Sequence, residues 1–550
     1  MACYTKALAA QPDRRQTLYK MLDYYSIGKQ WNKAVETLEK LSGLETEPTI
    51  RARGRYTLAA IYRDEMKDQA KAVEVFTQVL EDDPMFMRAF DAIERMLIES
   101  RSWKELARAY RRQLKRLPAE APTEVKVRLW DALADVAIKH LKNRESAILA
   151  LEVAAKLDRD NFARQEQLAQ MYQEAGPSAV NKTIAQHQML ISKKPDRIAS
   201  YQALAPLFYL MGAHDRMWCV AAALVYLGKA DPPLASFYES YRPTQLPNAA
   251  GKMNEELWHR ILHPAEDPHV SALLALLGPA IAMSSASPHK ALGLERGGRV
   301  DLSGSAWPHA AALRYVANTI EATLPDVFLK KDAPGTVSIV NLREKNALPP
   351  ALVVGPGFEQ WTRQSEVIFD LAKRMVLMRW ERVPRFALGT PALLEIALRA
   401  GLLLGGCPIG NGPHGDEVNK MAKTLDPLLL PALRAELKVV ARRFVDARGD
   451  KLDMLGWMAA ADLTAGRAAL ALCGDLGAAA RVLAVEPSGQ SPLPVRERIN
   501  DLLAFSVSED HFAVRAALGL HVNLTPPAPE AAGPGTARRR MSHVQIKSTP

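Results

Sequence analysis

Cysteine is scarce in this chain of 550 residues: Cys3, Cys219, Cys407 and Cys473 lie far apart and form no Cys-x-x-Cys pair. That spacing argues against a disulfide framework and a cysteine zinc module, and it fits a reducing, cytoplasmic setting. Long apolar runs are missing too. No uninterrupted hydrophobic stretch reaches the roughly 18 to 20 residues of a membrane span, and the first residues read as amphipathic helix without a signal-peptide core. Neither His-Glu-x-x-His nor Gly-x-x-x-x-Gly-Lys-Ser/Thr occurs. The glycines of Gly355-Pro356-Gly357 and of residues 405–415 lack the strand-to-helix setting of a phosphate cradle, and turns explain them. Cys407 has no identifiable partner base, so it reads as inert. No cofactor is expected.

Charge is plentiful but mixed. A net charge of +10 and a pI near 9.3 suit acidic partners, yet Lys and Arg are interspersed with 61 Asp and Glu, as on solvated helix faces. At 48% apolar residues and this length, two or more globular domains are expected. The abundance of Ala, Leu and Arg leans towards a bacterial source.

Prolines recur at Pro12, Pro48, Pro84, Pro118, Pro195 and Pro232, mostly 34 to 37 residues apart, and read as closing helical stretches. Between them Leu58, Ala59 and Tyr62 precede Ala72, Phe76, Val79 and Pro84. The offsets return in Leu18, Met21, Tyr25, Ala34, Leu38 and Leu41, and in Phe90, Ile93, Leu97, Leu106, Tyr110 and Pro118. Later units carry Trp130, Leu133, Ala147, Leu151 and Ala154, then Leu168, Ala169 and Tyr172, then Tyr201, Leu204, Ala205 and Phe208. Small residues let paired helices approach, and each unit buries its face only against its neighbours.

This pattern resembles the tetratricopeptide (TPR) repeat. Residues 1–232 are therefore read as an array of about six units, the first truncated, with Met1 inside a second helix. These apolar positions are core. The resemblance implies that first helices line a concave groove, where Tyr19, Asp23, Arg53, Tyr56, Arg88, Asp91, Arg95, Glu166 and Gln170 would meet a protein partner. Some members grip a chaperone's C-terminal carboxylate with Lys and Asn, but the corresponding Tyr19, Asp23, Asp91 and Arg95 do not suit that clamp. A second candidate is a basic stripe, Arg101, Lys104, Arg108, Arg111 and Lys115, opposed only by Glu105. It reads either as a solvated convex face or as a dock for an acidic surface; nucleic acid is not favoured, because no aromatic residues are interleaved for base stacking.

Residues 233–255, rich in Pro, Ser, Asn and Tyr, read as a linker. The segment 256–523 reads as a helix-rich α(+β) domain with a short strand pair, Thr336 to Asn341 and Ala351 to Val354. The fold class is thus mainly α. Asn346, Ala347 and Leu348, then Ala351 to Gly355, then a helix from Ser365, followed by residues 458–483, resemble the order of elements in CAAX prenyl endopeptidase and HtpX-like zinc metallopeptidases. That resemblance places Lys373, Arg374 and Leu377 where His, Glu and His would stand, and Met458 at the third ligand position when Asp462 takes the later aspartate. A cation and alkyl chains hold no zinc, so an inactive relative, a pseudopeptidase, is expected. Unrelated packed helices would read the same way. His259 and His263, spaced i and i+4 with Glu256, Glu266, Asp267 and His269 nearby, are the remaining metal candidates. Arg260 stands between them instead of glutamate, and His263 before Pro264 also suits a helix C-cap. Residues 524–550 read as a disordered basic tail. Taken together, the chain reads as a non-catalytic scaffold; a hydrolase using the histidines and a nucleic-acid adaptor are the rival readings.

Overall fold

A computed structural model describes residues 14–304, 307–333, 335–343, 350–407, 414–487 and 489–522. The expectations placed on Met1, on Asn346 to Leu348 and on the tail 524–550 lie outside the described residues. The chain divides into two compact units, residues 1–190 and 191–550.

The first unit is built from helix pairs: α1 (Arg15–Ile27) with α2 (Trp31–Leu44), α3 (Pro48–Asp64) with α4 (Gln69–Asp82), α5 (Met87–Glu99) with α6 (Trp103–Arg116), α7 (Thr123–Val136) with α8 (Arg144–Leu157), and α9 (Phe162–Ala175) with α10 (Val180–Lys193). Of the alanines expected at close contacts, Ala34, Ala59, Ala72, Ala147 and Ala154 have no exposed surface and Ala169 is 2% exposed, whereas Ala205 is half-buried. Phe76, Phe90, Tyr110 and Leu133 fill the spaces between. One apolar cluster runs without a break from Val35 to Ala179, as stacking neighbours require. The unit is a TPR-type α-solenoid. Pro48 opens α3 at its first turn instead of closing a helix, where its missing N–H removes no bond.

The turn inside each of the first four pairs carries a left-handed residue: Lys29, Lys67, Arg101 and Lys142, with φ between 51° and 58°. A side chain with a Cβ is strained there by about 1–2 kcal/mol, so these turns are defined by the pairs they join.

The second unit contains α11 (Ile198–Leu210), α12 (His214–Tyr226), α13 (Pro232–Tyr241), α14 (Glu255–Ile261), α15 (Pro268–Ser285), α16 (Ala310–Thr319), α17 (Pro356–Glu359), α18 (Gln364–Leu377), α19 (Val383–Leu388), α20 (Pro391–Leu404), α21 (Gly415–Leu425), α22 (Pro431–Arg448), α23 (Met454–Cys473), α24 (Leu476–Val485), α25 (Val495–Ser506) and α26 (Glu509–Ala517). The sixth pair, α11 and α12, thus lies in this unit, whereas the sequence reading ended the array at 232. The reason is visible in α12: Trp218 to Leu224 are all buried, more than one stripe of a solenoid helix, because α24 and α25 also pack on it. The expected linker 233–255 holds most of α13, started by the Asp231 carboxylate accepting the Leu234 N–H at 2.9 Å.

Three strands, β1 (Val327–Leu329), β2 (Ser338–Val340) and β3 (Ala351–Val354), form a sheet in the order β1-β3-β2. β2 and β3 are the expected pair, antiparallel; β1 adds a parallel edge. Its three residues sit in a short run between Pro325 and Lys330, too brief for a period-2 pattern to show. Helix α15, 18 residues long with mean hydropathy 1.3, is long and apolar enough to cross a membrane, although the sequence reading found no such stretch. In this unit Leu273, Leu274, Leu277 and Ile281 of that helix are core. Gly278 lets it approach the Trp380 carbonyl: a Cβ there would lie 2.3 Å from that oxygen.

Candidate functional site

In the first unit, the outward residues of the first helices are those the repeat spacing selects. Tyr19, Asp23, Arg53, Arg88, Arg95 and Gln170 are exposed. Glu166 is half-buried, and Gln170 donates to Glu174 at 3.0 Å. Asp91 is held by Arg128 of the following first helix at 2.9 Å. Tyr56 is half-buried, its ring packing 5.3 Å from Phe76 and 5.2 Å from Phe86.

Polar ties register the pairs beneath this face. Tyr62 donates to Glu39 at 3.2 Å and Tyr172 to Glu152 at 2.8 Å, each linking a first helix to the second helix of the pair before. Burial and then the Glu39 carboxylate push Tyr62 up to about 12, which keeps its hydroxyl a donor. Arg164, 3% exposed, grips Asp131 through two bonds of 2.8 Å and Asp158 at 3.0 Å. Such planar bidentate pairs fix orientation as well as distance.

The basic stripe is shorter than the sequence suggests. Arg101 is the left-handed turn residue before α6 and lies outside that helix, while Lys104, Arg108, Arg111 and Lys115 form an exposed row along it. Arg108 pairs with Glu105 at 2.6 Å and Arg111 donates to Ser146 of α8 at 3.1 Å.

In the second unit, the positions singled out on α18 and α23 meet. Lys373 Nζ lies 3.1 Å from Asp462 and 2.9 Å from Glu486, with all three side chains 1% exposed. Arg374 binds Asp370 at 3.2 Å, contacts Glu486, and donates to the Val337 carbonyl beside β2 at 2.7 Å. Arg498 also reaches Glu486. Arg385 lies 3.3 Å from Asp462, which accepts from Ser491 at 2.8 Å. Burial opposes ionisation of Glu486 and Asp462, but the surrounding cations outweigh it and hold both carboxyls below their usual range, Lys373 contributing most. Burial lowers Lys373, and the two carboxylates counter it. Leu377 and Met458 are apolar packing residues at 6% and 9% exposure. This arrangement neutralises charge; it offers no accessible nucleophile.

Sequence reasoning found Lys373, Arg374 and Asp462 but missed Glu486, Arg385 and Arg498, which come from other elements and carry no local signal. It also missed Glu266 as an ion-pair residue: buried, it binds Arg382 at 2.7 Å and accepts from Thr464.

The two histidines do not converge on a site. His259 is exposed on α14, whereas His263 lies beyond the helix end at Ile261. Its Nδ1 accepts from the Ala265 N–H at 3.1 Å and its Nε2 lies 3.5 Å from Asp501. Burial first, then Arg467, lowers its pKa. No group of three His, Cys, Asp or Glu side chains placed to hold a metal occurs among the described residues.

No protein-family model and no curated protein matches the chain. Solved structures give partial likenesses. YrrB, described as a TPR protein with an unusual peptide-binding site, is 14% identical, covering 38% of this chain and 100% of that one at a TM-score of 0.22. MamA from Desulfovibrio magneticus RS-1 is 18% identical over 33% of this chain and 96% of that one, at 0.19. Naa15/Naa10 bound to HypK-THB gives 13% identity over 88% of this chain and 59% of that one, at 0.25. At such TM-scores the overlaps support no functional conclusion.

Proposed function

We propose that the chain is a non-catalytic scaffold whose first-helix face in the first unit holds a segment of a partner protein. The observation that carries this reading is the row of exposed Tyr19, Asp23, Arg53, Arg88 and Arg95 on helices that also contribute buried residues to the core. Mixed charge with an aromatic anchor suits recognition of a polypeptide. The test is quantitative affinity capture from native cells with the full chain, against Arg53→Glu/Arg88→Glu/Arg95→Glu. Partners bound through this face should drop out together, while the melting temperature stays constant. Retention of the same partners would sink the reading.

In the same proposal the second unit is a relative of the CAAX prenyl endopeptidase and HtpX-like enzymes in which ion pairing has replaced metal ligation. The facing of Lys373 and Asp462 across α18 and α23 supports this reading. Purified full chain should contain no stoichiometric zinc by elemental mass spectrometry, and His259→Ala/His263→Ala should leave that content unchanged. Zinc at one equivalent, lost in the double variant, would favour a hydrolase instead.

A further inference from the structure

The second helices of the first unit carry a different surface. Between α4 and α6, with α5 as its floor, lies a cleft of about 290 Å³. Val73 and Leu80 form one wall, Phe90, Ile93 and Leu97 the base, and Ala109 part of the other wall. Glu81 and Arg116, paired at 2.6 Å, span it from α4 to α6. The volume sits at the lower edge of the range for small-molecule sites, which suits a single bulky side chain better than a whole ligand.

Charge identifies what would carry that side chain. Helix α6 holds six cationic residues against one glutamate. Arg112 stands at the cleft mouth, its guanidinium free of ion pairs and hydrogen bonds among the described residues, and the exposed row of Lys104, Arg108, Arg111 and Lys115 is the adjacent one on the same helix. Burial of an aromatic or aliphatic anchor, with charge complementarity around it, is the pattern of a protein-binding hot spot. We propose that this cleft docks an acidic segment of a partner protein through one bulky apolar side chain, with Arg112 and the neighbouring basic row engaging its carboxylates. The site is distinct from the first-helix face, so each can fail without the other.

The experiment uses the full chain and a short fluorescein-labelled peptide of Glu and Asp with one central Phe, read by anisotropy. Binding should weaken by about tenfold or more when the Phe is changed to Ala, when Ala70→Trp plugs the mouth, or when Arg112→Glu reverses its charge. It should also weaken as salt rises, and Arg53→Glu should leave it unchanged. Should Ala70→Trp lower the melting temperature, the exposed Arg112→Glu decides the matter alone. Absence of binding, equal binding of a Lys-rich peptide, insensitivity to Arg112→Glu, or loss on Arg53→Glu would each overturn the proposal.

Discussion

Glu486→Gln tests the buried ion cluster most severely. Its carboxylate is shared by Lys373, Arg374 and Arg498, so removal leaves three guanidinium or ammonium groups, all below 8% exposure, to divide Asp370 and Asp462 with Arg385. Uncovering a buried charge costs about 3–5 kcal/mol, and with three cations affected the upper end applies. Lys373→Met should cost less, about 3 kcal/mol, because Glu486 keeps Arg374 and Arg498, Asp462 keeps Arg385 and Ser491, and the methionine fills most of the space. The double variant should cost less than the sum, since the two groups touch. Urea titration followed by tryptophan fluorescence reports on this unit, which contains Trp218, Trp258, Trp307, Trp361, Trp380 and Trp457 of the nine tryptophans. Acid adds a second check. Glu486 has a depressed folded pKa, so its stabilisation is present above the unfolded value of about 4.3 and drains away as pH falls below it. In Glu486→Gln that part of the acid sensitivity should vanish. A larger loss from Lys373→Met than from Glu486→Gln, or additive losses in the double variant, would refute the cluster as described.

His511 is buried and pushed down to about 3, by burial first and then by Arg515, against the pull of Asp215. It is therefore neutral in the fold and takes a proton on unfolding below about 6.5, so stability falls as pH drops from there towards 3, by about 3 kcal/mol at pH 4; His511→Gln should flatten the slope of urea midpoint against pH in that window. Arg164→Leu, which strands Asp131 and Asp158, should destabilise the first unit by about 2 kcal/mol, less than a fully buried pair because both partners are 40% exposed; circular dichroism melting of the full chain should show a lower first-unit transition. Lys67→Gly should raise the stability of that unit by up to about 1 kcal/mol by relieving the left-handed turn, and a neutral or lower midpoint would count against strain there.

The two units differ in how much of them the amino-acid order discloses, and the cause is contact range. In the solenoid, Leu58, Ala59, Tyr62, Ala72 and Phe76 meet residues one helix away, so the 34-residue rhythm encodes both helix and packing. Its end is harder to read, because Leu204 and Phe208 keep the repeat's spacing while α12 is enclosed by helices 250 or more residues later. The ion cluster is the opposite case. Lys373 looked like a lost ligand, and its real partners sit 89 and 113 positions away; no window of sequence could pair them. Arg101 shows a third limit. Its spacing fits the basic stripe, but a left-handed φ takes it off the helix, and only the demands of the turn, which the side-chain pattern does not record, decide that. The surface that remains, Lys104 to Lys115 beside an apolar cleft, is legible as charge in the sequence and as a docking site only once α4, α5 and α6 are set side by side.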